Sequence, residues 1–325
     1  MKKIIKGMLR LSYLVLAVFA ATLQACILMP RNEEVTSNIQ FTGGSLVEYP
    51  GFGSAYVPSR NVEIWLPPSY KKDTTRHYPV LYMHDGQNLF NKTTAFGGEA
   101  WEVDSVAAAL VAAGKIDEII IVGVWNTNRR FWEYFPQKAL QNLPPAEQKA
   151  ALTYHGYYRG NDSIYFAADQ YLQFLVKELK PFIDSNYRTK RDAANTSIAG
   201  SSMGGLISLY ALCEYPDVYG RAACISTHWP IVFDATNQLP ATAVRNYFST
   251  HLPNPQNHFI YFDYGTAKLD SLYPPHQQKI DSIMQAKGYA QNINWITRKF
   301  NGAEHSEAFW RQRFGSILEI LQPKK

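Results

Sequence analysis

A serine with glycines two positions away on each side carries the clearest chemical signal in the chain. Ser202 lies between Gly200 and Gly204, after a short strand-like stretch and before an apolar helix-like stretch. This G-x-S-x-G pattern is typical of a sharp strand-to-helix turn that exposes the serine hydroxyl. It predicts that Ser202 is a nucleophile for acyl transfer, with the backbone N–H of Met203 aimed at the developing oxyanion. The alternative is a glycine-rich turn that only packs the helix on the strand.

A serine hydroxyl needs a base within hydrogen-bond reach, and a third group must orient that base. In sheets that carry this serine turn, the acid and then the histidine follow the serine along the chain. His305 is the best-placed base, because it follows a predicted strand and turn and precedes the last predicted helix. His228 follows the next strand after Ser202 and is predicted, with Trp229, to line the pocket. The remaining histidines in this part of the chain have contexts typical of solvated or structural residues: His251, His258 and His276.

Three aspartates are candidates for the orienting acid. Asp270 is preferred, because it lies in the loop beyond a predicted strand, level with a histidine at the same sheet edge. Asp263 belongs to that strand, where local hydrogen bonding is its more usual role, and Asp281 lies in a later helix. The predicted triad is therefore Ser202, Asp270 and His305.

The oxyanion needs a second donor, which usually comes from the loop after an earlier strand. The predicted strand 79–84 runs into the polar turn Asp85-Gly86-Gln87-Asn88. The backbone N–H of Gln87, or of a neighbour, is the predicted donor beside Met203. An ordinary strand-to-helix turn is the alternative.

Strand-like and helix-like stretches alternate along the chain, which predicts an α/β fold with a mostly parallel central sheet and helices on both faces. The predicted strands are 62–66, 79–84, 119–124, 196–199, 222–225, 258–263 and 292–300. The predicted helices are 103–113, 169–186, 203–215, 277–288 and 307–321. Residues 41–325 are expected to form one domain, and residues 126–165 fit the alternation poorly, as expected of an excursion that overhangs the site.

The formal net charge of +5 has its source at the N-terminus. Lys2, Lys3, Lys6 and Arg10 stand before residue 27 with no acidic residue among them, which leaves 28 of the 32 basic side chains against 27 acidic ones. A nearly neutral remainder excludes the basic surface of a nucleic-acid-binding domain. With 46% apolar and 18% charged residues, the composition also excludes intrinsic disorder.

The N-terminal bases precede an apolar run, Leu11 to Leu23, too short to span a membrane and typical of a signal peptide. The following residues, Leu23-Gln24-Ala25-Cys26, resemble a bacterial lipobox, in which the cysteine is lipidated. Residues 1–25 are therefore predicted to be a lipoprotein signal peptide and residues 26–40 a tether. Attachment to a membrane through a lipid anchor at Cys26 predicts an exported bacterial lipoprotein, periplasmic or associated with the outer membrane. An ordinary signal peptide with an incidental Cys26 is the alternative.

The other two cysteines, Cys213 and Cys224, stand in apolar contexts that indicate buried thiols. Neither has a metal-ligating neighbour at the usual spacing. Whether the two pair in an oxidising compartment stays open.

Several segments together are specific to one family. They are LYMHDGQNLF (81–90), the helix at Trp101, WNTNRRFWEYFPQKA (125–139), ELKPFIDSNYRT (178–189), AGSSMGGLISLYAL (199–212), STHWP (226–230), YFDYGTAKLD (261–270) and GAEHSEAFW (302–310). From about residue 62 to residue 322 the chain resembles the putative esterase family of α/β-hydrolases, which is esterase D-like or carbohydrate esterase family 1-like. That family includes feruloyl and acetyl-xylan esterases, S-formylglutathione hydrolases and siderophore esterases.

The resemblance implies Ser202 as nucleophile, His305 as base and Asp270 as acid, with the donor loop around Gln87. It implies neither a metal nor an organic cofactor. The spacing from Gly265 to Asp270 is longer here than in several family members.

The expected activity is that of an exported serine esterase acting on an acylated carbohydrate, such as an acetyl or feruloyl ester of a small molecule or oligosaccharide. Aromatic side chains stack on sugars and on aromatic acyl groups, which favours Trp125 and Trp229 as substrate contacts. The alternative is that these aromatic residues belong to the hydrophobic core. The alternatives are a siderophore trilactone esterase with a basic pocket at Arg129 and Arg130, an acyltransferase with the same triad, and a non-catalytic binding module. The oligomeric state is left open.

Overall fold

The computed structural model describes residues 35–36, 43–141, 143–152, 165–232 and 237–324. The predicted signal peptide, Cys26 and all of the tether except residues 35–36 lie outside these ranges. Within them, no helix combines the length and apolar character that crossing a membrane requires.

One sheet of nine strands organises the described residues, in the order β1-β2-β3-β5-β4-β6-β7-β8-β9. Strand β2 is antiparallel to its two neighbours, β1 and β3, and β3 is antiparallel to β5. All pairs from β5 across to β9 are parallel. The strand bounds are β1 Val35–Thr36, β2 Ser45–Phe52, β3 Arg60–Leu66, β4 Val80–His84, β5 Ile120–Val124, β6 Thr196–Ser201, β7 Arg221–Ile225, β8 Phe259–Gly265 and β9 Trp295–Phe300.

The central strands are apolar on both faces because each face supports its own hydrophobic core. Along β4, Val80 and Tyr82 pack into one core, whereas Leu81 and Met83 pack into the other. This alternation follows from the two-residue period of a strand, whose successive side chains point to opposite faces. The predicted mostly parallel sheet with helices on both faces is confirmed.

The larger core lies under the helices that follow β5, β6, β7 and β8, and the smaller one under the first and last long helices. One long helix contains a π-helical segment, Phe174–Leu179, between α5 and α6. The α-helix bounds are α1 Val103–Ala112, α2 Arg130–Tyr134, α3 Lys138–Gln141, α4 Pro145–Leu152, α5 Ala168–Gln173, α6 Lys180–Asn186, α7 Met203–Glu214, α8 Leu239–His251, α9 Pro274–Ala286 and α10 Glu307–Leu321.

The excursion predicted between β5 and the long helix contains α2, α3 and α4, with residues 142 and 153–164 outside the described ranges. Its first part lies beside the turn that follows β4. There Asn126 and Arg130 both bond to the carboxylate of Asp85.

Because β4, β6, β7, β8 and β9 are parallel to one another, their carboxyl ends meet at one edge of the sheet. The residues that follow these five strands therefore come close together, although they are spread over more than 200 positions of sequence. They include Asp85, Ser202, Ser226, Asp270 and His305, respectively. This edge is the candidate active site.

Candidate active site

The serine turn has the strained backbone that the glycine spacing predicts. Ser202 adopts φ 59° and ψ −121°, a conformation that is costly for a residue with a side chain. A Cβ atom on Gly200 would lie 2.8 Å from the carbonyl carbon of Gly204, so only a glycine lets strand β6 approach α7 this closely. The Ser202 N–H donates to the carbonyl of Ile225 at 2.9 Å, which ties the turn to the end of β7.

The acid and the histidine form a direct pair at the neighbouring strand ends. His305 Nδ1 lies 2.6 Å from Asp270 Oδ1, and the Asp270 side chain is fully buried. The second carboxylate oxygen, Oδ2, accepts hydrogen bonds from the hydroxyl of Ser226 at 2.5 Å and from the N–H of Gly265 at 2.7 Å. Burial alone would raise the pKa of Asp270, but His305 and these hydrogen bonds hold it below its ordinary value. Asp270 is therefore an ionised acceptor for the imidazole.

Backbone hydrogen bonds hold the acid loop against the histidine loop. The carbonyl of Ala303 accepts from the N–H groups of Thr266 and Ala267, at 3.1 and 3.0 Å. The N–H of Gly302 donates to the Thr266 hydroxyl at 2.8 Å. The relative position of the two side chains is thus set by the loops themselves as well as by their own contact.

Two aromatic residues fix the imidazole ring from other directions. The His305 ring packs edge to face on Trp310 at 4.8 Å between centroids and on Tyr273 at 5.6 Å. The Tyr273 hydroxyl also lies 2.8 Å from Nδ1 of His228. The backbone N–H of His228 donates to the carbonyl of Ser202 at 3.2 Å. The histidine loop and the serine turn are therefore linked through one tyrosine and one histidine.

The Ser202 hydroxyl makes no hydrogen bond to another residue in the described part of the chain. Because Nδ1 of His305 faces Asp270, the ring nitrogen left to meet a serine hydroxyl is Nε2. Catalytic hydrogen bonds of this kind often tighten only when substrate is bound.

The donor turn after β4 begins in a left-handed backbone conformation. Asp85 has φ 58°, and a short 3₁₀ helix, Gly86–Asn88, follows it. The N–H groups of Gln87 and Met203 donate to no acceptor within the described ranges, as expected of amides available to a ligand oxygen. The Asn88 side-chain amide donates to Glu307 Oε1 at 3.3 Å, which joins this turn to the start of α10 next to His305.

A salt bridge connects the donor turn to the excursion that follows β5. Arg130 donates to both carboxylate oxygens of Asp85, through Nε and Nη2, each at 2.7 Å. The Asn126 side-chain amide donates to Oδ1 of the same carboxylate at 2.6 Å. Burial alone would raise the pKa of Asp85, but Arg130 and Asn126 hold it below its ordinary value. The pair stays ionised at neutral pH and fixes the start of the turn.

Two of the predicted substrate contacts, Trp229 and His228, are buried in the structure. Trp229 is 1% exposed, and its indole N–H donates to Gln277 Oε1 at 2.8 Å. Its predicted contact with substrate is therefore wrong, because the ring is part of the core between Phe248 and Phe262. His228 is also buried, and burial lowers its pKa to about 3, so its ring is neutral and positions Tyr273 rather than lining an open pocket.

Of the three remaining candidates, Trp125 and Arg130 contact the donor turn. Trp125 is half-buried with its indole N–H bonded to Glu63 Oε2 at 2.9 Å, and it packs on the turn at Gly86. Arg130 uses two donors on Asp85, so the predicted pair of arginines does not form one basic pocket. Arg129 is exposed, and its guanidinium lies 4.9 Å from the centroid of Tyr165.

Sequence reasoning named candidate reacting groups but missed several of the contacts that position them. Asp85 and Arg130 are 45 positions apart and form an ion pair, and Ser226 and Arg313 are 87 apart and form a hydrogen bond. The HDGQN segment was a signal for Asp85, since this residue stands two positions before the predicted donor, Gln87. For Ser226 and Arg313 the single sequence carries no such signal, because their relation exists only in the folded sheet.

Asp263, an alternative candidate for the orienting acid, has different hydrogen-bond partners from Asp270. Its Oδ1 accepts from the N–H of Ser226 at 2.9 Å and from Nη2 of Arg313 at 2.8 Å. Burial raises its pKa in spite of the arginine. Asp263 therefore belongs to a buried ion pair behind the site and does not contact His305.

Cys213 and Cys224 are both free thiols, and burial raises the pKa of each. Among the described residues, no cluster of three or more His, Cys, Asp or Glu side chains could hold a metal ion.

Comparisons with known proteins show the family of the chain. The family model described as putative esterase matches residues 55–320. The uncharacterized protein YbbA of Bacillus subtilis (strain 168) is 26% identical over 271 residues, which cover 82% of this chain and 94% of that protein.

Two solved structures share the fold at low sequence identity. A ferulic acid esterase has a TM-score of 0.60 at 20% identity, with 86% of this chain and 99% of that one covered. The enterobactin esterase of Shigella flexneri has a TM-score of 0.60 at 16% identity, with 89% of this chain and 60% of that one covered. The predicted family is thereby confirmed: the chain belongs to the putative esterase family, has the α/β-hydrolase fold and is a carboxylic-ester hydrolase.

Proposed function

We propose that the protein is an exported esterase that hydrolyses the carboxylic ester of an acylated carbohydrate through the triad Ser202, His305 and Asp270. One observation carries the proposal: the Asp270–His305 pair, 2.6 Å apart, lies at the same sheet edge as the strained Ser202 turn. A buried carboxylate that orients an imidazole near a strained serine turn is the arrangement that acyl transfer requires.

In the first half-reaction, Ser202 Oγ attacks the ester carbonyl carbon while His305 Nε2 takes the hydroxyl proton. Asp270 accepts the Nδ1–H hydrogen bond, which fixes the tautomer and stabilises the imidazolium as it forms. The N–H groups of Met203 and Gln87 donate to the oxyanion of the tetrahedral intermediate. The imidazolium then protonates the departing alkoxide, which leaves an acyl group on Ser202.

In the second half-reaction, water replaces the alcohol. His305 takes a proton from the water as its oxygen attacks the acyl carbon, and the same two amides hold the new oxyanion. Collapse of this intermediate returns the proton to Ser202 Oγ and releases the carboxylic acid. An alcohol in place of water would give acyl transfer with the same residues.

The carbohydrate ester is favoured over a strongly anionic substrate by the charges at the site. Arg130 is neutralised by Asp85, and Glu307 stands beside the donor turn. Half-buried Trp125 offers an aromatic face next to the same turn. The structural likeness to a ferulic acid esterase agrees with this choice, although it shows only the fold.

A siderophore ester is the second candidate, and exposed Arg129 over Tyr165 favours it. A cation beside an aromatic ring suits a catechol or a carboxylate. The fold is also shared with an enterobactin esterase.

A panel of purified substrates separates these candidates. Feruloylated and acetylated oligosaccharides and a catecholate trilactone are compared by kcat/KM, with the Ser202→Ala variant as the background control for each. The proposal predicts at least tenfold higher kcat/KM for an oligosaccharide ester than for the trilactone. The reverse order would establish the siderophore ester instead, and faster product formation with an added alcohol acceptor than with water would indicate a transferase.

Export through a lipid anchor is the remaining part of the proposal, and the lipobox-like segment ending in Cys26 supports it. Mass spectrometry of the membrane fraction is expected to find a mature N-terminus at a lipid-modified Cys26. The Cys26→Ala variant is expected to lose that modification and to leave the membrane fraction. An unmodified Cys26 in a mature membrane-bound protein would contradict the anchor.

A further inference from the structure

A buried hydroxyl connects the triad acid to a buried ion pair. Ser226 follows the last residue of β7 and has φ 39°, and its side chain is fully buried. Its Oγ lies 2.5 Å from Asp270 Oδ2, 3.1 Å from Trp310 Nε1 and 2.6 Å from Arg313 Nη2. Both Trp310 and Arg313 belong to α10, which begins two residues after His305.

The direction of the Ser226 hydroxyl proton follows from its partners. A serine hydroxyl has one proton to donate and two lone pairs to accept with. The indole N–H of Trp310 and the guanidinium N–H of Arg313 can only donate, so they occupy the lone pairs. The single hydroxyl proton is therefore left for Asp270, whose carboxylate can only accept when ionised.

Charged groups of opposite sign also lie around the Ser226 hydroxyl. Arg313 Nη2 donates to Asp263 Oδ1 at 2.8 Å as well as to Ser226, and both charged side chains are at most 3% exposed. One guanidinium therefore stands behind two carboxylates, Asp263 and Asp270. A second positive charge arises here when His305 takes a proton, which is the step that the proposed mechanism requires.

Few other charged or titratable groups face this cluster. Tyr261 donates to Asp263 Oδ2 at 3.1 Å, and Tyr273 lies 3.4 Å from His305 Nδ1. On the loops outside, Lys268 and Glu304 form an ion pair at 2.6 Å and offset each other. His228 also faces His305, and Arg298 and Cys224 lie beside Asp263 on the neighbouring strands. Among the described residues, the groups around this cluster are thus His305, Asp263, Arg313, Tyr261, Tyr273, His228, Arg298, Cys224 and the Lys268–Glu304 pair.

We propose that Arg313 is a positioning residue for the triad, which acts through Ser226 to aim Asp270 and, with Asp263, sets the charge against which His305 is protonated. This inference rests on the proposed triad. It assigns to α10 a role beyond covering the sheet, because one face of the helix supplies both Trp310 and Arg313.

The test uses the pH dependence of kcat/KM for p-nitrophenyl acetate, whose acid limb reports protonation of the free enzyme's base. Asp263→Asn leaves the positive charge of Arg313 unbalanced, which disfavours the imidazolium and is expected to move the acid limb down by roughly half a pH unit. The double variant Asp263→Asn with Arg313→Met removes both charges and is expected to return the limb to its wild-type position. In that double variant kcat is expected to fall roughly tenfold to a hundredfold with KM little changed, because Asp270 is held less well.

Arg311→Met is the matched control, since Arg311 lies on the same helix but pairs with Glu99 and Glu102 outside the cluster. It is expected to leave the acid limb and kcat unchanged. Active enzyme is counted by fluorophosphonate labelling, so a loss of folded protein is not mistaken for a loss of rate. If Asp263→Asn is recovered folded with an unmoved acid limb, the proposed role of Arg313 is wrong.

Ser226→Ala tests the geometric part without changing a charge, and it decides the proposal if Asp263→Asn does not fold. It is expected to lower kcat roughly tenfold and to leave the acid limb in place, whereas an unchanged kcat would overturn the proposal. Inactive wild-type protein, in contrast, would point to failure of the proposed triad itself.

Discussion

The two sides of the serine turn each place a buried carboxylate at a strand end, but they give it different partners. On the acid–base side, Asp270 contacts His305, whose ring can gain and lose a proton. On the donor side, Asp85 contacts Arg130, whose guanidinium keeps its charge at any working pH. Both carboxylates have pKa values below the ordinary range. In the proposed mechanism, the carboxylate on one side orients a residue that carries a proton, whereas the carboxylate on the other side belongs to an ion pair that stays charged.

Ser202 lies between the two sides, and its removal has the largest expected effect. Ser202→Ala is expected to lower kcat for p-nitrophenyl acetate by about 10⁴- to 10⁶-fold, because it removes the nucleophile of the proposed mechanism. Initial-rate kinetics on the purified variant measure this, with Ser201→Ala as a neighbouring control of near wild-type rate. A Ser202→Ala enzyme with most of its activity would refute the assignment.

On the acid–base side, Asp270→Asn is expected to lower kcat by roughly 10³- to 10⁴-fold, because an amide favours the wrong imidazole tautomer. Asp281→Asn is the matched control. Asp281 is also an aspartate bonded within the fold, to Gln277 and Thr297, but it lies away from His305. Equal losses in the two variants would mean that Asp270 is a structural residue only.

On the donor side, Asp85→Asn is expected to lower kcat by roughly 10- to 100-fold with little change in KM. The loss of the Arg130 salt bridge shifts the Gln87 amide, and a weakened oxyanion donor acts on the transition state more than on the ground state. Asp73→Asn, in an exposed turn before β4, is the control. A larger loss of kcat from Asp85→Asn than from Asp270→Asn would contradict this account, because it would make the donor side the more important one for catalysis.

The smallest expected effect is on stability and involves Glu63, which holds Trp125 against the donor turn. Burial raises the pKa of Glu63 to about 7, so the folded protein binds this proton more tightly than the unfolded chain does. The folded state therefore loses stability as pH rises from the ordinary glutamate pKa to about 7, and the full penalty remains above that.

Glu63→Gln removes this penalty and is expected to raise Tm at pH 8 by roughly 5 °C. The gain is expected to shrink towards pH 5, where the wild-type carboxyl is protonated in the folded state. Glu319→Gln, at an exposed surface ion pair with Lys115, is expected to show no such trend. Thermal melts at both pH values give the comparison, and a pH-independent gain for Glu63→Gln would contradict the buried charge.

Sequence periodicity predicted the elements whose apolar pattern is regular. The last helix was predicted as 307–321 and is observed as Glu307–Leu321, because its buried residues recur at helical spacing. Strand β2 was missed, since Pro50 and Gly51 interrupt its pattern where the pairing with β3 is irregular. Helix α8 was missed because Thr242, Arg245 and Asn246 break up its apolar residues.

In the candidate site, too, the residues with a regular local sequence pattern were predicted and the others were not. The residues predicted to react follow strand ends in a recognisable local context, as Ser202 and His305 do. Trp229 was misplaced because an aromatic residue near the site in sequence can point into the core. The braces at Arg130 and Arg313 depend on contacts between distant segments, which no local pattern in one sequence records.

The most direct test of the central claim is active-site labelling with a fluorophosphonate, followed by peptide mass spectrometry. The proposed mechanism predicts one equivalent of label on Ser202 of the wild-type enzyme, with esterase activity lost in proportion. It also predicts much slower labelling of Asp270→Asn and none at this position in Ser202→Ala. Inactivation with the label on another residue, or full labelling with activity retained, would contradict Ser202 as the nucleophile.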